Sequence, residues 1–278
     1  MKKMLSRLGL VLLFFTLFTV FTLNLYSCPI GQGDPREVRV HSIRDAEKKL
    51  AGHKFSGDSP DDPLILIVNM DLGDLSQPDN KYLQLLDVIG KSGKYVELNL
   101  RGCKMGKTTV FTSPPLNKAV KGMDKIVSIR FPVATKSIEA DKNGRSPFFF
   151  YENLRWVVRD EIGLTKIGDN AFADCKSLEW LVLSSVKTIG NEAFLGCENL
   201  KTIRFFYLET IGDKAFFDCS SLEWLSFYTP PLLGNSVFLG STPGDFTIMR
   251  KDEYSDIFVM WLADNASKFH NGGKDIVF

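Results

Sequence analysis

The string "RGCKMGKTT", residues 101–109, carries the residue types of a phosphate-binding loop. Such a loop needs a glycine, four residues and then Gly-Lys-Thr, so that successive backbone N–H groups curve around the phosphates. Here Gly102 precedes Gly106 by one residue too few, Arg101 occupies the required glycine position, and "TVFTSPP" follows where a helix should begin. Nucleotide chemistry is therefore not expected. His41, His53 and His270 stand too far apart for ligand spacing on a common element, so no metal or cofactor is expected either. Neither a Gly-x-Ser-x-Gly elbow nor a paired-carboxylate arrangement is present, and the chain reads as no enzyme. Lys plus Arg (34) and Asp plus Glu (33) nearly cancel, which argues against a nucleic-acid partner.

Three cysteines, Cys175, Cys197 and Cys219, recur every 22 residues. Stacked at sheet spacing of about 4.8 Å they fall within the Cα range for disulfides, roughly 4.4–6.8 Å. Their side chains would run parallel, however, and three cannot pair off. Small buried thiols are the plainer reading; the redox state of these three and of Cys103 is left open.

The elements that position these residues are repeats. "IGDNAFADC" (167–175) returns as "IGNEAFLGC" (189–197) and "IGDKAFFDC" (211–219), and Leu233, Phe238 and Ser241 continue the register. Between them stand "LEWLVL" (178–183), "LKTIRF" (200–205) and "LEWLSF" (222–227). The pattern extends backwards: Phe148, Tyr151, Leu154 and Val157 match Phe172, Cys175, Leu178 and Leu181. Val120, Met123, Ile126, Ile129 and Phe131 match again, and "YVELNL" (95–100) reads as a first strand. A fixed period in the low twenties is the sign of a solenoid, because one coil has an apolar strip and only its neighbours to bury it against. Alternation sends Leu181 and Leu183 inward and Trp180 and Val182 outward. Gly168, Gly190 and Gly212 are expected to let the chain turn, and "ATKSIEADKNGRSP" (134–147) to form an inserted polar loop.

These repeats resemble the BspA-like, treponemal-type leucine-rich repeat, whose consensus runs approximately I-G-x-x-A-F-x-x-C-x-x-L-x-x-V-x-L. The resemblance implies an α/β fold: a right-handed solenoid with a parallel β-sheet, an α/β N-terminal cap and a C-terminal capping helix. It also implies a secreted or surface protein with a protein partner, since many members are implicated in adhesion to host matrix proteins or to other bacteria.

The expected organisation is a signal peptide (1–27), a tether (28–35), an α/β cap (36–94), the solenoid (95–250) and a C-terminal cap (251–278). Lys2, Lys3 and Arg7 precede a long apolar run, and "LYSC" (25–28) resembles the lipobox of bacterial lipoproteins. That reading makes Cys28 the lipidated residue and anchors the chain to a membrane of the bacterial cell envelope; the alternative is an uncleaved transmembrane anchor. In the first cap, Ser42 and Asp79 are expected to start two helices and "PLILIV" (63–68) to form a buried strand. In the last, Tyr254, Ile257, Phe258, Trp261 and Leu262 share one helical face.

One outward file reads Ser128, Trp156, Trp180, Thr202, Trp224, and holds three of the four tryptophans. Arg204, Phe206 and Tyr228 share that face. Exposed aromatics in a row mark a contact surface, although strands favour aromatics and another segment can cover them. Two functions follow from it: a surface binding module or adhesin, or an envelope-assembly scaffold docked permanently on a partner. Beside the file, Arg155, Glu179, Lys201 and Glu223 alternate in sign and are expected to pair between rungs.

Overall fold

Nearest-neighbour stacking of 22-residue coils produces two parallel sheets, one on each side of a shared core. The structure, a computed structural model, describes residues 34–278 except 55, 115, 117, 158–162, 227–228, 242–245, 248–259, 262, 269–275 and 278. The signal peptide and Cys28 lie outside the described residues, as do Tyr254, Ile257, Phe258 and Leu262 of the C-terminal helix; Met260–Trp261 and Ala263–Asp264 are helical.

The first sheet contains, in spatial order, β1 (Glu37–Val40), β2 (Leu64–Val68), β3 (Val96–Asn99), β5 (Ile126–Arg130), β7 (Trp156–Val157), β9 (Trp180–Leu183), β11 (Thr202–Phe205) and β13 (Trp224–Ser226). From β2 onward its neighbours run parallel. The second sheet contains β4 (Val110–Phe111), β6 (Ser137–Ile138), β8 (Lys166–Ile167), β10 (Thr188–Ile189), β12 (Thr210–Ile211) and β14 (Leu232–Leu233), all parallel. The stretch 134–147 is thus not merely an inserted loop. It contributes β6, with Ile138 fully buried, and only the part beyond it is extra. There Asp141 accepts from the backbone N–H of Asn143 and Arg145.

At the N-terminal end, α1 (Ile43–Gly52) is capped by Ser42, whose hydroxyl accepts from Asp45 N at 3.1 Å. The second helix, α2 (Lys81–Ser92), is capped by Asn80 rather than by Asp79. Asn80 is buried and an amide serves there better than an acid: its Oδ1 accepts from Leu83 N, while its Nδ2 donates to Leu75 O at 3.1 Å. Lys49 Nζ covers the carbonyl of Arg39 on the edge strand β1 at 2.7 Å, an end the repeats cannot cover themselves.

The core is a file of phenylalanines. Phe148, Phe172, Phe194, Phe216 and Phe238 stack with centroids 4.9, 5.2, 5.1 and 5.5 Å apart and planes within 12°. Beyond Phe148 the file continues through Phe111, at 5.8 Å and 10°, and not through Val120. The second-sheet strand β4 brings an aromatic ring to the place that the period alone assigns to Val120. Each such ring is worth roughly 3–5 kcal/mol against alanine.

The glycines of the Ile-Gly step do a different job from the one expected. Gly190, Gly212 and Gly234 have no positive φ. A Cβ on them would meet the backbone nitrogen of Asp169, Asn191 and Asp213 at 2.5, 2.6 and 2.5 Å. They let successive coils touch. That contact carries a ladder: Asn191 N donates to Asp169 Oδ1 (2.8 Å), Asp213 N to Asn191 Oδ1 (2.8 Å) and Asn235 N to Asp213 Oδ1 (2.6 Å). The left-handed turns fall two residues later, at Asn170, Glu192, Lys214 and Ser236, with φ of 55, 54, 53 and 52°.

Candidate binding face

Strand alternation and register place the aromatic file as the repeat predicts. Ser128 pairs with Trp156, Trp156 with Trp180, Trp180 with Thr202, and Thr202 with Trp224. The residues behind them, Ile129, Val157, Leu181 and Ile203, are buried in the core. Trp156, Trp180, Thr202, Arg204 and Phe206 are half-buried on the other side. Ser128 is not open to solvent as expected; at 3% exposure it is shadowed between the larger side chains of Glu97 and Trp156, its partners in register. The open file therefore begins at Trp156. The side chains of Trp224 and Tyr228 lie outside the described residues. Tyr207, which the alternation did not single out, is 65% exposed beside Phe206.

Charges border this face in pairs. Glu179 lies between Arg155 (4.0 Å) and Lys201 (3.5 Å), and Arg155 also meets Asp61 at 2.7 Å. Each exposed pair is worth about 0–1 kcal/mol, so their effect is on register. Burial holds the pKa of Arg204 below the ordinary arginine value.

The remaining chemical candidates resolve into structure. In "RGCKMGKTT", the amide of Gly106 donates to Asp71 Oδ1 at 2.9 Å, and Gly73 N donates to the same oxygen at 3.0 Å. These amides hold the Asp71 carboxyl below its usual range, and the Gly106 N–H of the loop is thereby already committed to a protein acceptor. Cys103, Cys175, Cys197 and Cys219 are free and buried. Cys197 Sγ donates to Phe172 O (3.1 Å) and Cys219 Sγ to Phe194 O (3.2 Å); Ser241 Oγ donates to Phe216 O (2.6 Å) in the same place one coil on. Burial pushes the Cys103 thiol up to about 11 and Cys175 up to about 12, and raises Cys197 and Cys219 as well. Among the described residues no group of three His, Cys, Asp or Glu side chains is placed to hold a metal ion, and no helix is long and apolar enough to cross a membrane.

Residues 117–243 match the BspA type leucine rich repeat region, in six copies. The coils of this chain are BspA-type leucine-rich repeats. A crystal structure of a leucine-rich repeat protein from Bacteroides ovatus is 18% identical over 50% of this chain and 51% of that one, with a TM-score of 0.27. The chain thus spans about half the length of that protein. No curated protein matches.

Proposed function

We propose that this leucine-rich-repeat protein is an exported lipoprotein, anchored through Cys28 in a bacterial cell envelope, that captures a protein partner on the outer face of its first sheet without catalysing a reaction. Trp156, Trp180 and Trp224 are the anchoring side chains, with Arg204, Phe206 and Tyr228 around them. The supporting observation is the pairing of Trp156 with Trp180 on adjacent strands, both half-buried on the side away from the core. Rigid, amphipathic indoles bury much area at little entropic cost, which is why they dominate binding hot spots. The envelope anchor rests on Lys2, Lys3, Arg7, the apolar run and "LYSC". Adhesion to host or neighbouring-cell proteins is the biological role this arrangement serves.

Two experiments test it. Pull-down with the purified protein should recover a partner that a Trp156→Ala/Trp180→Ala/Trp224→Ala variant loses while keeping the parent's circular dichroism and melting transition. Recovery of the same partner by the folded variant refutes the binding face. Metabolic labelling with a palmitate analogue should mark the wild type and not Cys28→Ser; equal labelling removes the anchor assignment. Protease shaving of intact cells should digest the exposed face, whereas protection until lysis would favour the envelope-scaffold role.

A further inference from the structure

Three irregular segments meet at one groove of about 620 Å³: the loop before α2, the stretch that follows β4, and the insertion after β6. Ligand sites commonly measure roughly 300–1,000 Å³. Each segment is held in place. Asp74 Oδ1 accepts from Ser76 N at 3.0 Å, Thr112 Oγ1 donates to Ala140 O at 3.1 Å, and Arg145 Nη1 donates to Leu116 O. Walls fixed beforehand need less ordering when a ligand arrives.

Along this groove β4 ends the second sheet, paired only with β6 among the described residues. Glu139 N donates to Phe111 O at 3.0 Å, so Phe111 turns its backbone groups to β6 while Val110 and Thr112 turn theirs the other way. There Val110 N donates to Thr108 Oγ1 at 3.0 Å. Among the described residues, however, no backbone group donates to Val110 O or accepts from Thr112 N. Such an edge is a template for another strand. A side chain lining the groove is unsatisfied too: Ser113 is 8% exposed, and its hydroxyl has no partner among the described residues. Two charged side chains line it as well. Glu139 already has Lys166 at 3.0 Å, which leaves Lys142 to meet an incoming charge.

We infer that this groove takes an extended aliphatic segment of a protein, which adds as a strand to the free edge of β4. Its alternate side chains rest on Pro78, Leu83 and Leu116, and a carboxylate of the segment meets Lys142. Backbone bonds to Val110 O and Thr112 N supply affinity, and the pockets for alternate side chains supply selectivity. The Ser113 hydroxyl donates to a carbonyl of the same segment. No aromatic ring lines the groove among the described residues, so a nucleobase finds no platform to stack on. The site is separate from the tryptophan face of the first sheet and stands without it.

The test uses the full chain and a set of labelled hexapeptides with Val or Leu at alternate positions, Thr or Ser between them, and a glutamate at either end. Fluorescence anisotropy should find members that bind about tenfold or more tightly than their counterparts N-methylated at alternate amides. Hydrogen exchange should slow at Thr112 and Ser113 and not in Trp180–Leu183. Lys142→Gln should weaken the glutamate peptide about fivefold and leave its glutamine version unchanged. Ser113→Ala should weaken both about threefold, and each variant should keep the parent's melting transition. The Trp156→Ala/Trp180→Ala/Trp224→Ala protein should bind as the parent does, which separates this site from the proposed binding face. No binding by any member of the set, equal binding of the N-methylated peptides, or protection on the first sheet in place of β4 overturns the inference. Capture of palmitate or of a glycan at the groove, with every peptide ignored, overturns it in favour of that ligand.

Discussion

Replacing Gly212 by alanine should destabilise the protein by about 2–4 kcal/mol, although nothing in its backbone conformation demands glycine. The new Cβ would stand 2.6 Å from Asn191 N, from Asn191 Oδ1 and from the carbonyl carbon of Gly190. Ordinary contact begins near 3.4 Å, so the two coils must part by nearly 1 Å, an overpacking cost of about 1–3 kcal/mol. Parting them also weakens the bond from Asp213 N to Asn191 Oδ1 (2.8 Å) and that from Gly212 N to Ile189 O (2.8 Å), each worth about 0.5–1.5 kcal/mol. At roughly 2–4 °C per kcal/mol for a chain of this size, the melting temperature falls by about 5–15 °C. A glycine kept only for conformational freedom behaves oppositely: alanine at an ordinary φ stabilises by about 0.4–1 kcal/mol through the unfolded state. The two accounts differ in sign. Thermal and urea unfolding by circular dichroism decides between them, and a Gly212→Ala protein that melts at or above the parent refutes the close-approach reasoning.

Lys214, held at φ 53° and exposed, gives the converse: Lys214→Gly should raise stability by about 1 kcal/mol, read as a higher urea midpoint. Cys219→Ser should cost less than Cys219→Val in the same assay, because serine keeps a donor for Phe194 O as Ser241 does for Phe216 O. Valine removes that donor and leaves Phe194 O with the Cys197 N–H alone, at 3.2 Å, a loss of about 0.5–1.5 kcal/mol. The raised thiols also set an alkaline limit. Below the unfolded thiol value, about 8.5–9, both states hold the proton and this stabilisation is complete. As pH climbs through the folded values of about 11 for Cys103 and about 12 for Cys175, the unfolded chain has already lost its protons and the stabilisation disappears. The urea midpoint should therefore decline from pH 9 upward, and thiol reagents at pH 8 should label Cys103, Cys175, Cys197 and Cys219 only in denaturant; ready labelling of these four in the native chain would contradict their burial.

The strand register was legible because the period forces it: once Leu181, Ile203 and Leu225 align, Trp156, Trp180 and Trp224 must share a column. Ser42 was legible for a local reason, a hydroxyl three residues before an amide it can accept from. The second sheet was hidden because its strands are two residues long, too short for alternation to register. The role of the Ile-Gly glycines was ambiguous, since glycine serves both a left-handed turn and a close approach. The deciding signal was present: Asp169, Asn191, Asp213 and Asn235 follow those glycines in every coil, and short side chains able to accept an N–H belong where backbones meet. Asp79 and Asn80 are adjacent and both can cap; only burial, which favours the amide, separates them.

At the far end, the indole N–H of Trp261 donates to Pro231 O at 2.7 Å. The equivalent carbonyls one and two periods earlier, Glu209 O and Lys187 O, accept instead from the backbone of the following coil. The terminal segment thus impersonates the amide of an absent successor. Because each coil speaks only to its immediate neighbours, such a lid fits equally well after five windings or seven. Tandem duplication of 22 codons would then lengthen the first sheet by one strand while both closures stay as they are, making reach a quantity that evolution can dial in whole increments.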